Sequence, residues 1–305
     1  MQRPFRIVSF SAVPLDIPLL EPFGISGGAQ AAANNVLVGL ELDDGSRGWG
    51  EAAPLPPYNG ETQGQALAAL KAARSWLEGR EAADWRSLAL EFRSRGGGAC
   101  GSAQCAFETA LVDALARRAG EPLWRFLAHG EAAERAARPD ALETDMTVTT
   151  GTVAQAAVST RAIRDRGIRL IKVKVGGKGG AAHDLARLAA IHEGAPGAPL
   201  IIDGNAGVSR SDARDLVQGL WRLGITPAVL EQWLPKGDHA GARELAEFSG
   251  WPVAADESVT TAAEARAVVA ERAAQIINIK LMKAGLAAAG SELQELPLHF
   301  RAKTF

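Results

Sequence analysis

The stretch RLIKVKVGG, residues 169–177, reads as a buried strand that nonetheless carries two lysines. Side chains alternate along a strand, so Ile171, Val173 and Val175 share one face and Lys172 and Lys174 the other. An ammonium group gives up its water only for a strong partner. Two of them aimed at the same place therefore imply something anionic there.

Five more short apolar runs have the same build: ETDMTV (143–148), PLIIDGN (199–205), PAVLEQW (227–233), PVAADES (252–258) and QIINIKLMK (275–283). Ala-rich stretches with helical texture separate them. Strand, helix, strand at this spacing predicts βαβ units and a parallel sheet. No Gly-rich phosphate fingerprint follows the first strand, which argues against a dinucleotide-binding fold. Residues 1–60 read differently. FRIVSFSAVPL alternates, and Asp44-Gly45 between two further runs predicts a hairpin. The segments 20–33 and 54–62, rich in Gly and Pro, read as loops. A helix is expected over Gln63–Leu77 with Thr62 as N-cap, and another over AQCAFETALVDALARRAG, capped by Ser102 and stopped by Gly120. The chain thus divides into an N-terminal α+β domain (1–130), a (β/α) barrel domain (140–285) with about six recognisable strands, and an atypical tail (286–305).

Composition narrows the function. The 305 residues are 47% hydrophobic and 22% charged, with a formal net charge of −2, so neither nucleic acid nor an anionic membrane surface is an expected partner. No apolar run reaches the roughly 18 residues of a spanning helix, and MQRPFRIVSF lacks a signal-peptide core. Cys100 and Cys105 fit no metal or disulfide spacing and read as free thiols. The expected location is the cytoplasm and the expected partner a small molecule, with homo-oligomerisation left open.

Each run ends on a polar or ionisable residue: Thr147, Lys174, Asp203, Glu231, Asp256 and Lys280, with successive gaps of 27, 29, 28, 25 and 24 residues. One such group per βα unit is what a barrel places at its catalytic mouth, where the C-terminal strand ends converge. Asp203, Glu231 and Asp256 offer three hard oxygen ligands, a set that suits Mg2+, and no His or Cys joins them to favour zinc. Lys174 precedes the acids by one strand and Lys280 follows them by one. In a closed ring two amines would face each other across the metal. Each would act as acid or base on a carbon α to a carboxylate, through an enediolate that Mg2+ stabilises. Removing the proton from one face and returning it on the other inverts that carbon. Lys172 adds positive charge beside the base.

With K-x-K at Lys172/Lys174, D-x-N at Asp203/Asn205, Glu231 in EQ, DES at Asp256–Ser258 and INIKLMKAG at 277–285, the chain resembles the enolase superfamily, whose Lys-base and Mg2+ logic is well known. It is most similar to the dipeptide epimerases of the muconate-lactonizing subgroup, on GEAAP (50–54), GET (60–62) and ETDMT (143–147). The resemblance implies an N-terminal cap over a modified TIM-like barrel. It makes Lys174 and Lys280 the acid/base pair and Asp203, Glu231 and Asp256 the Mg2+ ligands. Asn205, Glu257 and Lys172 become supporting residues, and Thr147 lines the pocket. o-Succinylbenzoate synthases and N-acylamino acid racemases share these lysines and ligands and stay as alternatives.

Three departures stand out. ISGGAQ lacks the basic residue of relatives that take Glu-containing dipeptides, which points to a small or apolar substrate side chain. DGNAG and EQWLP replace DANQG and EQP without touching a ligand. After KAG the chain runs only to residue 305, where eight strands at this spacing need about 335. LPLHF (296–300) is a poor candidate for a seventh strand, and the eighth is missing. The barrel is expected to be incomplete, as after truncation or a frameshift, so a non-catalytic remnant is the alternative of a different class.

Overall fold

The computed structural model describes residues 5–128, 142–291 and 301–303. The chain forms two compact units, each built from separate stretches. The first comprises Met1–Leu20, Ala31–Ala141 and Lys280–Gln294; the second comprises Glu21–Gln30, Leu142–Ile279 and Glu295–Phe305. The two units interleave along the chain in a way that sequence texture does not display.

β1 (Ile7–Ile25), β2 (Gly28–Leu42) and β3 (Arg47–Ala52) form a sheet in that order, β2 and β3 antiparallel, of which all but Glu21–Gln30 belongs to the first unit. The Asp44-Gly45 turn falls where the sequence predicts it: the amide of Gly45 donates to the Leu42 carbonyl, and φ of +85° there suits glycine. The segment 20–33 is not the expected loop. Both strands continue through it and leave only a tight turn around Ser26-Gly27, because paired strands satisfy the backbone that its small residues leave uncovered.

Val36, Val38, Leu40 and Leu42 are the buried alternate residues of β2, and they pack with Phe10, Leu70, Leu77, Phe92, Phe107 and Leu111. The Phe92 and Phe107 rings stack with centroids 4.4 Å apart. The helix Gln63–Leu77 starts at Thr62 with a full capping box, as expected. The helix Gly101–Ala119 ends at Gly120 in the left-handed conformation, but Ser102 does not cap it. Glu61 does so instead: its carboxylate accepts from the amides of Gly101 (2.7 Å) and Ser102 (3.1 Å) and from the Ser102 hydroxyl (2.6 Å). A full negative charge suits that end of the helix dipole better than a hydroxyl.

This helix lies directly on β3. A Cβ at Gly48 would run into the Ala110 carbonyl, and one at Gly50 into the Ala106 carbonyl.

The second unit is the modified (β/α) barrel. β4 (Asp145–Val148), β5 (Leu170–Lys174), β6 (Leu200–Asp203), β7 (Val229–Glu231), β8 (Val253–Ala255) and β9 (Ile276–Asn278) pair in parallel in sequence order. All six lie within the six predicted runs. A seventh strand, β10 (Arg301–Lys303), pairs parallel with β9. LPLHF lies outside the described residues. Among the described residues, β4 and β10 end the order.

The connecting helices are Val153–Asp165, Gly180–Gly194, Arg210–Leu223, His239–Ser249 and Ala262–Ala270. Four of them start on a side-chain cap, at Thr152, Ser209, Asp238 and Thr261. Each of these caps fixes how far the chain travels between a strand tip and its helix. Cys100 and Cys105 are free. Among the described residues no helix is long and apolar enough to cross a membrane.

Gly50→Val is expected to cost roughly 3 kcal/mol or more, since the helix cannot back away from β3 without opening the core. A thermal melt of the variant with an unchanged midpoint would contradict this close approach.

Candidate active site at the strand ends

Parallel registry sets the layers of the site. Lys174 pairs with Asp203, Asp203 with Glu231, and Thr147 with Lys172. Ile171, Val173 and Val175, all fully buried, face away from Lys172 and Lys174, which emerge on the other side as the alternation requires.

The two lysines meet the acids at once. The Lys172 ammonium donates to both oxygens of Glu231 at 2.8 Å and pairs with Asp203 Oδ2 at 2.7 Å. Lys174 donates to the same Asp203 oxygen at 2.7 Å. Asp203, Glu231 and Asp256 are 0% exposed. Asn278, at the end of β9, donates to Glu231 Oε1 at 2.8 Å.

Electrostatics separates the two acids. Burial works to raise the Asp203 carboxyl, but Lys174 and Lys172 outweigh it and hold it below the usual range. Burial raises Glu231 as well, and there the single ammonium of Lys172 does not offset burial plus the like charges of Asp203 and Asp256. For Lys172 itself burial acts downward, yet Asp203 and Glu231 prevail and lift its ammonium above the ordinary lysine range. Glu257 is pushed up to about 7, by burial first and then by the charges of Asp256 and Asp203.

The loops after these strands are strained in the same place. Asn205, Ala206 and Gln232 have φ of 42°, 59° and 38°, left-handed values that non-glycine residues rarely adopt. The Asn205 amide donates to Asp203 Oδ1 (2.9 Å), and its side chain donates to Glu257 Oε1 (3.0 Å). The Ser26 hydroxyl donates to the Asn205 carbonyl at 3.1 Å. Gln232 Oε1 accepts the amides of Asp256 (2.9 Å) and Ser258 (3.0 Å), which ties the tip of β7 to that of β8. Buried and without a hydrogen-bond partner are Asn205 Oδ1, Glu257 Oε2 and Asp145 Oδ2.

Sequence reasoning alone does not pick out Asn278, Gln232, Ser26 or Asp145. Asp145 precedes Thr147 by two and so points to the same face of β4. Its carboxyl is raised by burial, against the opposing pull of Lys172 and Lys174. That i, i+2 spacing was its only signal. Lys280, the remaining candidate, belongs to the first unit, where its ammonium sits 4.5 Å from the Tyr58 ring centroid, in cation–π range.

The donor chemistry fits a hard divalent cation: buried carboxylates on three successive strands, orphaned oxygens on Asn205 and Glu257, and fewer ammonium groups than acids. The three acids are not gathered around one point, since among the described residues no three His, Cys, Asp or Glu side chains are close enough to hold a metal. The Lys172 ammonium takes that place between Asp203 and Glu231.

Residues 9–128 match the N-terminal domain of the Mandelate racemase / muconate lactonizing enzyme family, and residues 153–290 match the Enolase C-terminal domain-like family. The chain is 44% identical over 284 residues to the aromatic dipeptide epimerase of Herpetosiphon aurantiacus, covering 93% of this chain and 77% of that protein. It is 35% identical over 300 residues to the hydrophobic dipeptide epimerase of Citrifermentans bemidjiense, covering 97% and 79%. The crystal structure of a dipeptide epimerase from Cytophaga hutchinsonii, complexed with Mg and the dipeptide D-Ala-L-Val, superposes with a TM-score of 0.85 at 28% identity, covering 95% of this chain and 76% of that one.

The raised Glu257 carboxyl gives a pH signature. Its folded pKa of about 7 exceeds the unfolded value near 4.3, so its contribution is fully present below that lower value and lost as pH rises through 7. In chelator-treated protein, Glu257→Gln is expected to lose less stability between pH 5 and 7.5 than the parent, by an amount on the order of 1–3 kcal/mol in urea melts. Equal losses in the two proteins would remove the assigned shift.

Proposed function

Because the chain belongs to the mandelate racemase / muconate lactonizing enzyme family of the enolase superfamily, we propose that it epimerises dipeptides by moving one proton off and back onto a carbon α to a carboxylate. The observation that carries this reading is the pair Lys172 and Lys174, buried on one strand face against the in-register carboxylates of Asp203 and Glu231. Asp203, Glu231 and Asp256 would hold Mg2+. Bound there, the ion would draw charge from the substrate carboxylate and so acidify the neighbouring carbon.

The chain's own residues do the rest. Lys174 would carry the proton at Nζ on one face of the carbon and Lys280 on the other. To accept it, Lys174 must leave Asp203 Oδ2, which it now grips at 2.7 Å. Lys172 stays charged, held by two carboxylates, and lends its field to the substrate anion without exchanging protons. Asn205 fixes one oxygen of Asp203 and one of Glu257, which limits how the acids rotate. Thr147, opposite Lys172 on the neighbouring strand, would line the pocket.

The preferred substrate side chain is apolar. Between Glu21 and Gln30 the hairpin tip reads EPFGISGGAQ, which offers no cation to an acidic side chain. The hydrophobic and aromatic preferences in the names of the two sequence relatives point the same way.

A panel of dipeptides in D2O tests the reaction. Deuterium is expected at one α-carbon, with both epimers appearing, and faster for apolar than for Glu-containing members. Lys174→Ala and Lys280→Ala are each expected to lower epimerisation by about 10³-fold or more while leaving the fold intact. Dehydration of a cyclohexadiene acid with the dipeptides untouched would favour a synthase instead. Exchange into N-acylamino acids alone would favour a racemase of those. Full activity in either lysine variant would refute the two-base assignment.

A further inference from the structure

A buried ion pair grips the tips of β4 and β5, and no step above uses it. Asp184 and Arg187 lie one turn apart on the helix Gly180–Gly194, Asp184 Oδ1 accepting from Arg187 Nη1 at 2.9 Å. Arg187 is 1% exposed. The same Nη1 donates to the Lys174 carbonyl at 2.7 Å, and Nη2 donates to the Thr149 carbonyl at 2.6 Å. Asp184 Oδ2 accepts the Gly176 amide at 2.8 Å.

The ladder between β4 and β5 ends at the pair Val148 and Val173. Lys174 ends β5 and Thr149 is the first residue past β4, so the guanidinium spans their carbonyls where the ladder has stopped. On its other side Lys174 still pairs with Asp203, and the Val175 amide donates to the Asp203 carbonyl at 2.9 Å. Burial pushes the Asp184 carboxyl up against the pull of the Gly176 amide and Arg187, so the mutual attraction of the two side chains is a weaker reason for the pair than the backbone groups it holds. What distinguishes Asp184 and Arg187 is that their three backbone bonds all go to the exits of β4 and β5.

We propose that Asp184 and Arg187 are positioning residues for Lys174: they fix its backbone where β4 has let go, and so the direction in which its ammonium enters the site. The catalytic importance of this rests on the reading of Lys174 as a proton carrier; the positioning itself does not.

Native-state acetylation of lysines, read by mass spectrometry, tests the positioning directly. Lys172 is the internal control, since it lies on the same strand and face, is buried, and pairs with the same Asp203 oxygen, but its backbone is not held by Arg187. In Arg187→Met, Lys174 is expected to label about tenfold faster while Lys172 changes by less than about twofold, with Arg187→Lys intermediate. A parallel rise of both lysines, as general loosening gives, or no change in either, overturns the proposal. If Arg187→Met does not melt cooperatively, Asp184→Asn is read by the same ratio and decides the matter. In D2O the variants are further expected to slow α-proton exchange of one dipeptide epimer by about tenfold or more and spare the other. Equal slowing of both contradicts a role through Lys174. Absence of exchange in the parent protein would refute the proposed reaction, while the labelling ratio would still judge the clamp.

Discussion

The ammonium of Lys172 between the carboxylates of Asp203 and Glu231 is the constraint on which the rest of the barrel depends. None of these groups tolerates burial alone; unpaired, each would cost several kcal/mol. Lys172 must therefore sit one layer below Asp203 on the neighbouring strand, and Glu231 level with Asp203 on the next. That requirement selects one register among β5, β6 and β7. A slip of one residue would turn the lysines towards the helices and Val173 into the charge cluster. The apolar alternates Ile171, Val173 and Val175 enforce the same register from the other face. Packing and charge thus agree, the kind of consistency that gives a single native state.

The same cluster holds more negative charge than its two lysines balance. Glu231 and Glu257 are both raised for that reason, one by Asp203 and Asp256, the other by Asp256 and Asp203, each on top of burial. Left-handed Asn205, Ala206 and Gln232 add backbone strain at the tips of β6 and β7. Strain and uncompensated charge in one place are the expected marks of a site kept for chemistry and not for stability. A divalent cation would relieve the charge and compete with Lys174 for Asp203.

Much of this was legible in the sequence, and the reasons are particular. The barrel strands announce themselves because all but β4 are short, largely buried β-branched or aliphatic runs, and each run ends on a polar residue at a steady interval. Thr62 and Gly120 were readable because capping and helix termination are local. Ser102 misled because the cap of its helix comes from Glu61, forty residues away, which no local rule finds. The hairpin tip at 20–33 misled because glycine and proline signal loops only where the neighbouring strand does not pair with them. Within the cluster, Lys172, Lys174, Asp203 and Glu231 could be grouped from spacing alone, as parallel registry repeats with the βα unit. Asn278, Gln232 and Arg187 could not. An amide or guanidinium that serves by holding a backbone or another side chain leaves no periodic trace.

The surplus of carboxylate over ammonium in this buried cluster is what would make it take up a divalent cation. Calorimetric titration of Mg2+ into the metal-stripped 305-residue protein, alongside Glu231→Gln, tests it most directly. Saturable binding of about one ion per chain is expected in the parent, with a marked loss of affinity in the variant. Saturable binding that Glu231→Gln leaves unchanged, or no binding at all by a cooperatively folded parent, would contradict it.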